Sequence, residues 1–153
     1  LVLIYLGSSH SSSQVHEKVI KELEDAGPEC KQINDLRATA EPSKNAIYSG
    51  DFKALGRAMI KNTEAQGRLH SDLVSQDAQK VINIAKDHEA IGWKVNGAGG
   101  DGGSVTLLCN SLSYVKRAMV KEIEQENQLY KNIPIYLSRY GLRTWERDTP
   151  NLD

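Results

Sequence analysis

Several residue types are scarce in this chain of 153 residues, and each scarcity excludes a class of protein. Two cysteines, Cys30 and Cys109, are too few for a disulfide framework, so we expect both to be reduced and packed, with a single disulfide as the alternative. The 19 basic residues are balanced by 20 acidic ones, which leaves no basic excess for nucleic acid or an anionic membrane. The longest apolar run, residues 1–6, is too short to cross a membrane and lacks the flanks of a signal peptide. We therefore expect a cytoplasmic protein with no nucleic-acid or membrane partner.

Methionine is also scarce, and the chain opens with Leu1 directly inside a strand-like run. Its two methionines, Met59 and Met119, are internal. We interpret residues 1–153 as a single domain that forms the C-terminal part of a longer protein. Its length and its hydrophobic fraction of 39% are sufficient for one buried core.

Hydrophobic periodicity predicts an α+β order of one strand, four helices, a β-hairpin, a fifth helix and a last strand. The strands are predicted at residues 1–6, 91–95, 105–109 and 132–138. Pro42 interrupts or restarts the second helix, Asp51 introduces the third, Ser71 or Ser75 caps the fourth, and Ser111 caps the fifth.

Without the extra helices this order is the ferredoxin-like split β-α-β plan with a four-stranded antiparallel sheet. In that plan the first and third strands are central, and these are the two most apolar ones here. Lys94 in the second strand and Pro134 in the fourth agree with edge positions.

Glycine is concentrated in one place, because five of the nine residues 96–104 are glycines. Such a cluster predicts positive φ angles or a close approach by another group, and successive bare N–H groups can bind an anion. The spacing Gly97-x-Gly99-x-x-Gly102 satisfies a dinucleotide-binding fingerprint, but a strand follows it where that fingerprint requires a helix. No Gly-Lys-Ser/Thr sequence of a Walker motif occurs either. A wide hairpin loop without a ligand remains the alternative.

The segment Lys94-Val95-Asn96-Gly97-Ala98-Gly99-Gly100-Asp101-Gly102-Gly103 resembles the third conserved motif of the GHMP kinases. This superfamily includes galactokinase, homoserine kinase, mevalonate kinase and phosphomevalonate kinase, and the motif lies between two strands of the C-terminal domain. Asn96 replaces a Thr or Ser, Asp101 replaces a glycine, and Gly103 stands where cysteine is common. The helical segment of residues 50–59 and the inserted helices also resemble that domain.

This resemblance implies a C-terminal domain of a kinase that uses ATP and Mg²⁺ to phosphorylate a sugar or sugar phosphate. It places Gly97, Ala98, Gly99, Gly100, Asp101, Gly102 and Gly103 near the phosphates at the interface with an N-terminal domain. Asp101 is expected to face the acceptor hydroxyls. The ATP loop and the catalytic aspartate belong to the N-terminal domain, so this chain should hold no catalytic residue and be inactive alone. Without that partner, its exposed apolar surface could form a homodimer.

A serine-rich segment, Gly7-Ser8-Ser9-His10-Ser11-Ser12-Ser13, joins the first strand to the first helix. This segment predicts either a serine cap at the N-terminus of the first helix or an anion-binding site at that N-terminus. A similar Ser/Thr-Arg-Ser-x-Ser segment occurs in the family's sugar kinases, which implies substrate binding by Ser9, His10, Ser11, Ser12 and Ser13. The histidines lack metal-ligand spacing, so we expect no metal site. The rival function is a ferredoxin-like ligand-binding or protein-interaction module without catalysis.

Overall fold

Among the described residues the order is one strand, five α-helices, a β-hairpin, a sixth helix and a last strand, with one helix more before the hairpin than periodicity predicts. The computed structural model describes residues 1–8, 12–27, 29–97, 99–100, 102–136 and 138–146, with the backbone alone for residues 12–16, 22 and 25. Two 3₁₀ turns, Glu24–Ala26 and Ser71–Leu73, join neighbouring helices. The strands and α-helices are β1 (Val2–Tyr5), α1 (Ser12–Leu23), α2 (Lys31–Arg37), α3 (Ala40–Ser49), α4 (Phe52–Leu69), α5 (Gln76–Asp87), β2 (Gly92–Val95), β3 (Ser104–Leu108), α6 (Ser113–Glu126) and β4 (Lys131–Ile133).

The four strands form one antiparallel sheet in the order β2-β3-β1-β4. Val2 pairs with Leu107 between the two central strands, and Ile4 pairs with Asn132 at the β4 edge. The α+β ferredoxin-like prediction is confirmed, including the central positions of the first and third strands. β1 and β3 are apolar because their alternate residues lie under helices, as the full burial of Ile4, Val105 and Leu107 indicates.

The core lies between one face of this sheet and helices α5 and α6. Val81 of α5 and Ile123 of α6 have no exposed surface, and they pack with the buried residues of β1 and β3. Tyr130, which precedes β4, is also fully buried, and its hydroxyl donates a 2.7 Å hydrogen bond to Asp77 Oδ1. This bond allows a phenol to lie inside an apolar core.

Side-chain caps fix the N-termini of two helices, α4 and α5. Asp51 accepts a hydrogen bond from the Ala54 N–H and caps α4, and Ser75 accepts one from Ala78 and caps α5. Pro42 lies in the first turn of α3, so the chain holds two helices, α2 and α3, where the sequence predicted one helix interrupted or restarted.

Two boundaries differ from the prediction. The capping role given to Ser111 is wrong, because α6 starts at Ser113 with no side-chain cap, and Asn110 Oδ1 accepts the Leu112 N–H instead. The local Asx turn of Asn110 therefore replaces the serine cap. The last strand ends at Ile133 and not at residue 138, since Pro134 has no N–H to continue the ladder.

Helix α4 covers the outer edge of β2. A Cβ on Gly56 would lie 2.0 Å from the Ile91 carbonyl oxygen, and one on Gly92 would lie 2.4 Å from the Gly56 Cα, so both residues must be glycine. Further along the helix, the Thr63 hydroxyl accepts from the Val95 N–H at 3.3 Å, and its oxygen lies within donor distance of two carbonyls, Met59 O at 3.2 Å and Trp93 O at 3.3 Å. The helix thus satisfies backbone groups that an edge strand leaves unpaired.

Candidate functional site

The glycine loop, defined here as residues 97–103, connects β2 to β3 and contacts the end of β1. Asn96 N–H donates to Ser104 O at 2.9 Å and closes the hairpin. Leu6 N–H donates to Gly103 O at 3.0 Å, and Gly103 N–H donates to Ser8 O at 3.1 Å. The loop and the start of the serine-rich segment are therefore held side by side by backbone hydrogen bonds.

All five glycines of the loop have positive φ angles. The values are 63° for Gly97, 66° for Gly99, 85° for Gly100, 106° for Gly102 and 75° for Gly103. The expectation of positive φ from the glycine cluster is confirmed. A residue with a Cβ would be strained at each position.

Two of these glycines also lie against the backbone of distant segments. A Cβ on Gly99 would lie 1.8 Å from the Leu73 carbonyl oxygen, and one on Gly102 would lie 2.2 Å from the Ser8 carbonyl oxygen. Gly97, by contrast, has no atom within 4 Å of the position of a Cβ. The loop is therefore packed between the turn before α5 and the segment after β1, and it is open at Gly97.

Within the described part of the chain, the loop retains backbone donors that no protein atom accepts. Gly100 and Gly102 are buried, yet the backbone hydrogen bonds of the loop use the N–H groups of Gly99 and Gly103 and not theirs. A buried N–H group without a protein acceptor normally binds water or a ligand. This arrangement suits an anion or an ordered water at the loop.

Two consecutive side-chain hydrogen bonds support the open end of the loop. Gln66 of α4 donates a 2.9 Å hydrogen bond from Nε2 to the Gly97 carbonyl, and its Oε1 accepts a 2.9 Å bond from Lys94 Nζ. The Lys94 ammonium also donates to the carbonyl of Val95. Burial of Lys94 disfavours its charged form and lowers the pKa of the ammonium.

On the same face, Asn96 binds the hydroxyls of β3. Its Nδ2 donates to Ser104 Oγ and Thr106 Oγ1, each at 3.0 Å. The amide of Asn96 therefore joins the end of β2 to β3 through both hydroxyls.

The sequence-predicted site residues are brought together in part. Gly97, Gly99, Gly100, Gly102 and Gly103 lie in one loop, and Ser12 and Ser13 begin α1. Ala98, Asp101, Ser9, His10 and Ser11 lie outside the described residues. The contact between Gly102 and Ser8 places the start of the serine-rich segment against the glycine loop, so the two predicted segments are neighbours.

Sequence reasoning missed Gln66, Leu73 and the role of Lys94. Lys94 stood out in the sequence as a lysine within a strand, but it was used to predict an edge strand and not a contact with the loop. Gln66 lies on a helix among other polar residues and gave no signal of its burial. Leu73 contributes a carbonyl group, which any residue could provide.

Two further absences concern the described residues. None of their helices has both the length and the apolar composition that a membrane crossing requires. No three histidine, cysteine or acidic side chains among them converge to hold a metal ion.

Solved structures share this fold over most of the chain. A mevalonate kinase from L. major, solved in complex with R-mevalonate, matches with a TM-score of 0.72 and 20% identity over 86% of this chain. The Lin0012 protein from Listeria innocua matches with a TM-score of 0.76 and 15% identity over 90% of it. The chain spans 40% of the first protein and 39% of the second. No family model matches the chain, and no curated protein matches it by sequence. The α+β fold with a four-stranded antiparallel sheet is thus one that part of a GHMP kinase also has.

Proposed function

We propose that this chain is the C-terminal domain of a cytoplasmic GHMP-type kinase that transfers a phosphoryl group from ATP to a hydroxyl of a sugar or sugar phosphate. One observation carries the proposal. A sequence that resembles the third GHMP motif forms a buried loop of positive-φ glycines, and the domain around it has a fold found in a mevalonate kinase.

The proposed role of the loop is to form one wall of a phosphate-binding pocket. The N–H groups of Gly100 and Gly102, which no described acceptor uses, are suitable donors to a phosphate or to water around it. ATP and Mg²⁺ would be held mainly by an N-terminal domain, which would also supply the catalytic groups. Transfer would then depend on positioning and electrostatic stabilisation of the phosphoryl group.

We also propose that Asp101 and residues Ser9, His10, Ser11, Ser12 and Ser13 contact the acceptor. The contacts of Ser8 with Gly102 and Gly103 support this, since they hold the start of the serine-rich segment beside the glycine loop. A carboxylate at Asp101 would repel a triphosphate but accept hydrogen bonds from sugar hydroxyls.

Exposed apolar side chains are candidates for the interface with the N-terminal domain or for a homodimer. Tyr48 and Phe52, at the junction of α3 and α4, expose 84% and 62% of their surface. Tyr136, after β4, exposes 92%. Such side chains are buried in many stable interfaces.

The decisive experiment is an ADP-release assay of the full-length gene product that contains this chain, against a panel of sugars and sugar phosphates with mevalonate included. Turnover with one acceptor is expected, and Asp101→Asn should raise the KM for that acceptor by about tenfold or more while the KM for ATP stays unchanged. Lys53→Met, on the exposed start of α4, is the matched surface control. ADP release with mevalonate alone would overturn the sugar class. Absence of turnover with every acceptor would favour a binding module without catalysis.

A further inference from the structure

A cavity lies beside the glycine loop, on the side of the loop that faces the helices. Its volume is about 320 Å³, and residues of α1, α2, α4 and β2 form its walls. This volume is near the lower end of small-molecule pockets, which run from about 300 to 1,000 Å³. The cavity is open to solvent and is formed by this chain alone.

The described lining is mainly apolar, with two amides and one cationic group. Val19, Leu36, Leu69 and Leu73 supply the apolar surface, Asn62 and Gln66 supply the amides, and Lys94 is the one titratable side chain among the described lining residues. Lys94, the cross-strand partner of Thr106, extends from β2 and lines the cavity.

Lys94 has neutral hydrogen-bond partners within the described part of the chain. Its ammonium donates to the Gln66 amide oxygen and to the Val95 carbonyl, and none of the ion pairs there includes it. A half-buried ammonium without a carboxylate is unusual, because burial of a charge is costly unless it is paired. The lowered pKa of Lys94 reflects this cost. An ammonium carries three donors, so one remains for a ligand.

We propose that this cavity binds a small organic anion, whose carboxylate or phosphate group pairs with Lys94 and whose apolar body lies against Leu36, Leu69 and Leu73. The anion would supply the missing counter-charge, and the leucines would exclude water from the pair. Both contributions favour an amphipathic acid over a neutral compound or an inorganic ion.

The bound anion would lie close to the glycine loop. Lys94 is joined to Gln66, and Gln66 is joined to the Gly97 carbonyl, each by a 2.9 Å hydrogen bond. Pairing of the third Lys94 donor with the anion would fix the ammonium that also holds Gln66, and so would couple the bound anion to the support of the loop at Gly97. The cavity therefore has the position of an effector site. This inference does not depend on the proposed kinase activity, because it concerns side chains of this chain alone.

The experiment is a calorimetric titration of the protein with three probes that carry the same five-carbon alkyl tail, namely hexanoate, pentyl phosphate and hexanamide. Hexanoate or pentyl phosphate is expected to bind, and the comparison between them identifies the anionic group. Hexanamide, which is neutral, is expected to bind about 10- to 100-fold more weakly, which is the contribution of a charge-assisted hydrogen bond.

Substitutions at two positions, Lys94 and Leu36, separate the charge of the cavity from its shape. Lys94→Met should weaken binding of the anion by about 10- to 100-fold, whereas Lys94→Arg should retain most of it. Leu36→Trp should block the cavity while it leaves the charge in place. Lys53→Met is the control on the exposed surface. The proposal is wrong if hexanamide binds as tightly as the anions, if Lys94→Met binds them unchanged, or if no probe binds. The titration contains no ATP or acceptor, so its failure is distinct from failure of the kinase assay.

Discussion

Gly99 lies so close to Leu73 that a Cβ built on it would be 1.8 Å from the Leu73 carbonyl oxygen. The turn before α5 and the glycine loop thus meet backbone to backbone. This contact explains why the hairpin loop between the edge strand β2 and the central strand β3 is buried at its centre.

Gly99→Ala should therefore destabilise the protein more than Gly97→Ala does. The two glycines have nearly equal φ angles, 66° and 63°, but the position of a Cβ on Gly97 is free of neighbours. Strain alone predicts a loss of about 1 kcal/mol for Gly97→Ala, and the added clash predicts a loss above about 3 kcal/mol for Gly99→Ala. Urea unfolding measures both values. Equal losses would show that the contact with Leu73 is unimportant.

Gly56→Ala should separate α4 from the edge of the sheet. A Cβ there would lie 2.0 Å from the Ile91 carbonyl oxygen, so helix and strand must move apart, with an expected loss above about 3 kcal/mol. Gly67→Ala, in the same helix, is the control because its Cβ would be 3.4 Å from a flexible Val74 methyl group. Its better helix propensity should offset that contact and stabilise the protein by up to about 1 kcal/mol. Thermal unfolding of both variants tests the difference.

Thr63→Val should cost about 1–2 kcal/mol, because it leaves the Val95 N–H without its side-chain acceptor. Thr63→Ser keeps the hydroxyl and should lose less. Amide hydrogen exchange at Val95 gives a local measure, and it should accelerate in the valine variant alone. Unchanged exchange at Val95 would contradict the role given to Thr63.

Tyr130→Phe should change how steeply the free energy of unfolding falls at alkaline pH. Burial, followed by the hydrogen bond to Asp77, raises the pKa of Tyr130 above its ordinary value near 10. The folded state therefore retains the phenol proton that the unfolded state loses, and the wild type loses stability as the pH rises above about 10. The phenylalanine variant should be less stable by about 1–2 kcal/mol near neutral pH, with a shallower loss above pH 10. Chemical unfolding at a series of pH values measures both slopes, and parallel slopes would overturn the assignment.

The strand plan could be predicted from the sequence because burial leaves a direct composition signal. Val2, Ile4, Val105 and Leu107 are apolar where the two central strands pair, and a polar or proline residue marks each edge strand. The positive φ angles of the loop were equally visible, since glycine is the residue that tolerates them.

Contacts between distant segments left no such signal. The approach of Gly56 to Ile91 and of Gly99 to Leu73 depends on carbonyl groups, which every residue has. The same holds for Gln66, whose two hydrogen bonds become apparent only when α4 lies along β2. Ser111 had the right chemistry for a cap but was displaced by the neighbouring amide of Asn110, a competition that composition does not resolve.

The central position of β1 has a consequence for synthesis of the protein on the ribosome. Val2 pairs with Leu107 and Leu3 pairs with Ile133, so the first strand receives its partners only after nearly all later helices have emerged. At about 5–20 residues per second, an apolar strand whose alternate residues end buried stays exposed for several seconds. Residues 2–6 are thus a natural binding segment for a chaperone during translation, and the time taken to synthesise the helices and β2 before β3 sets how long that exposure lasts.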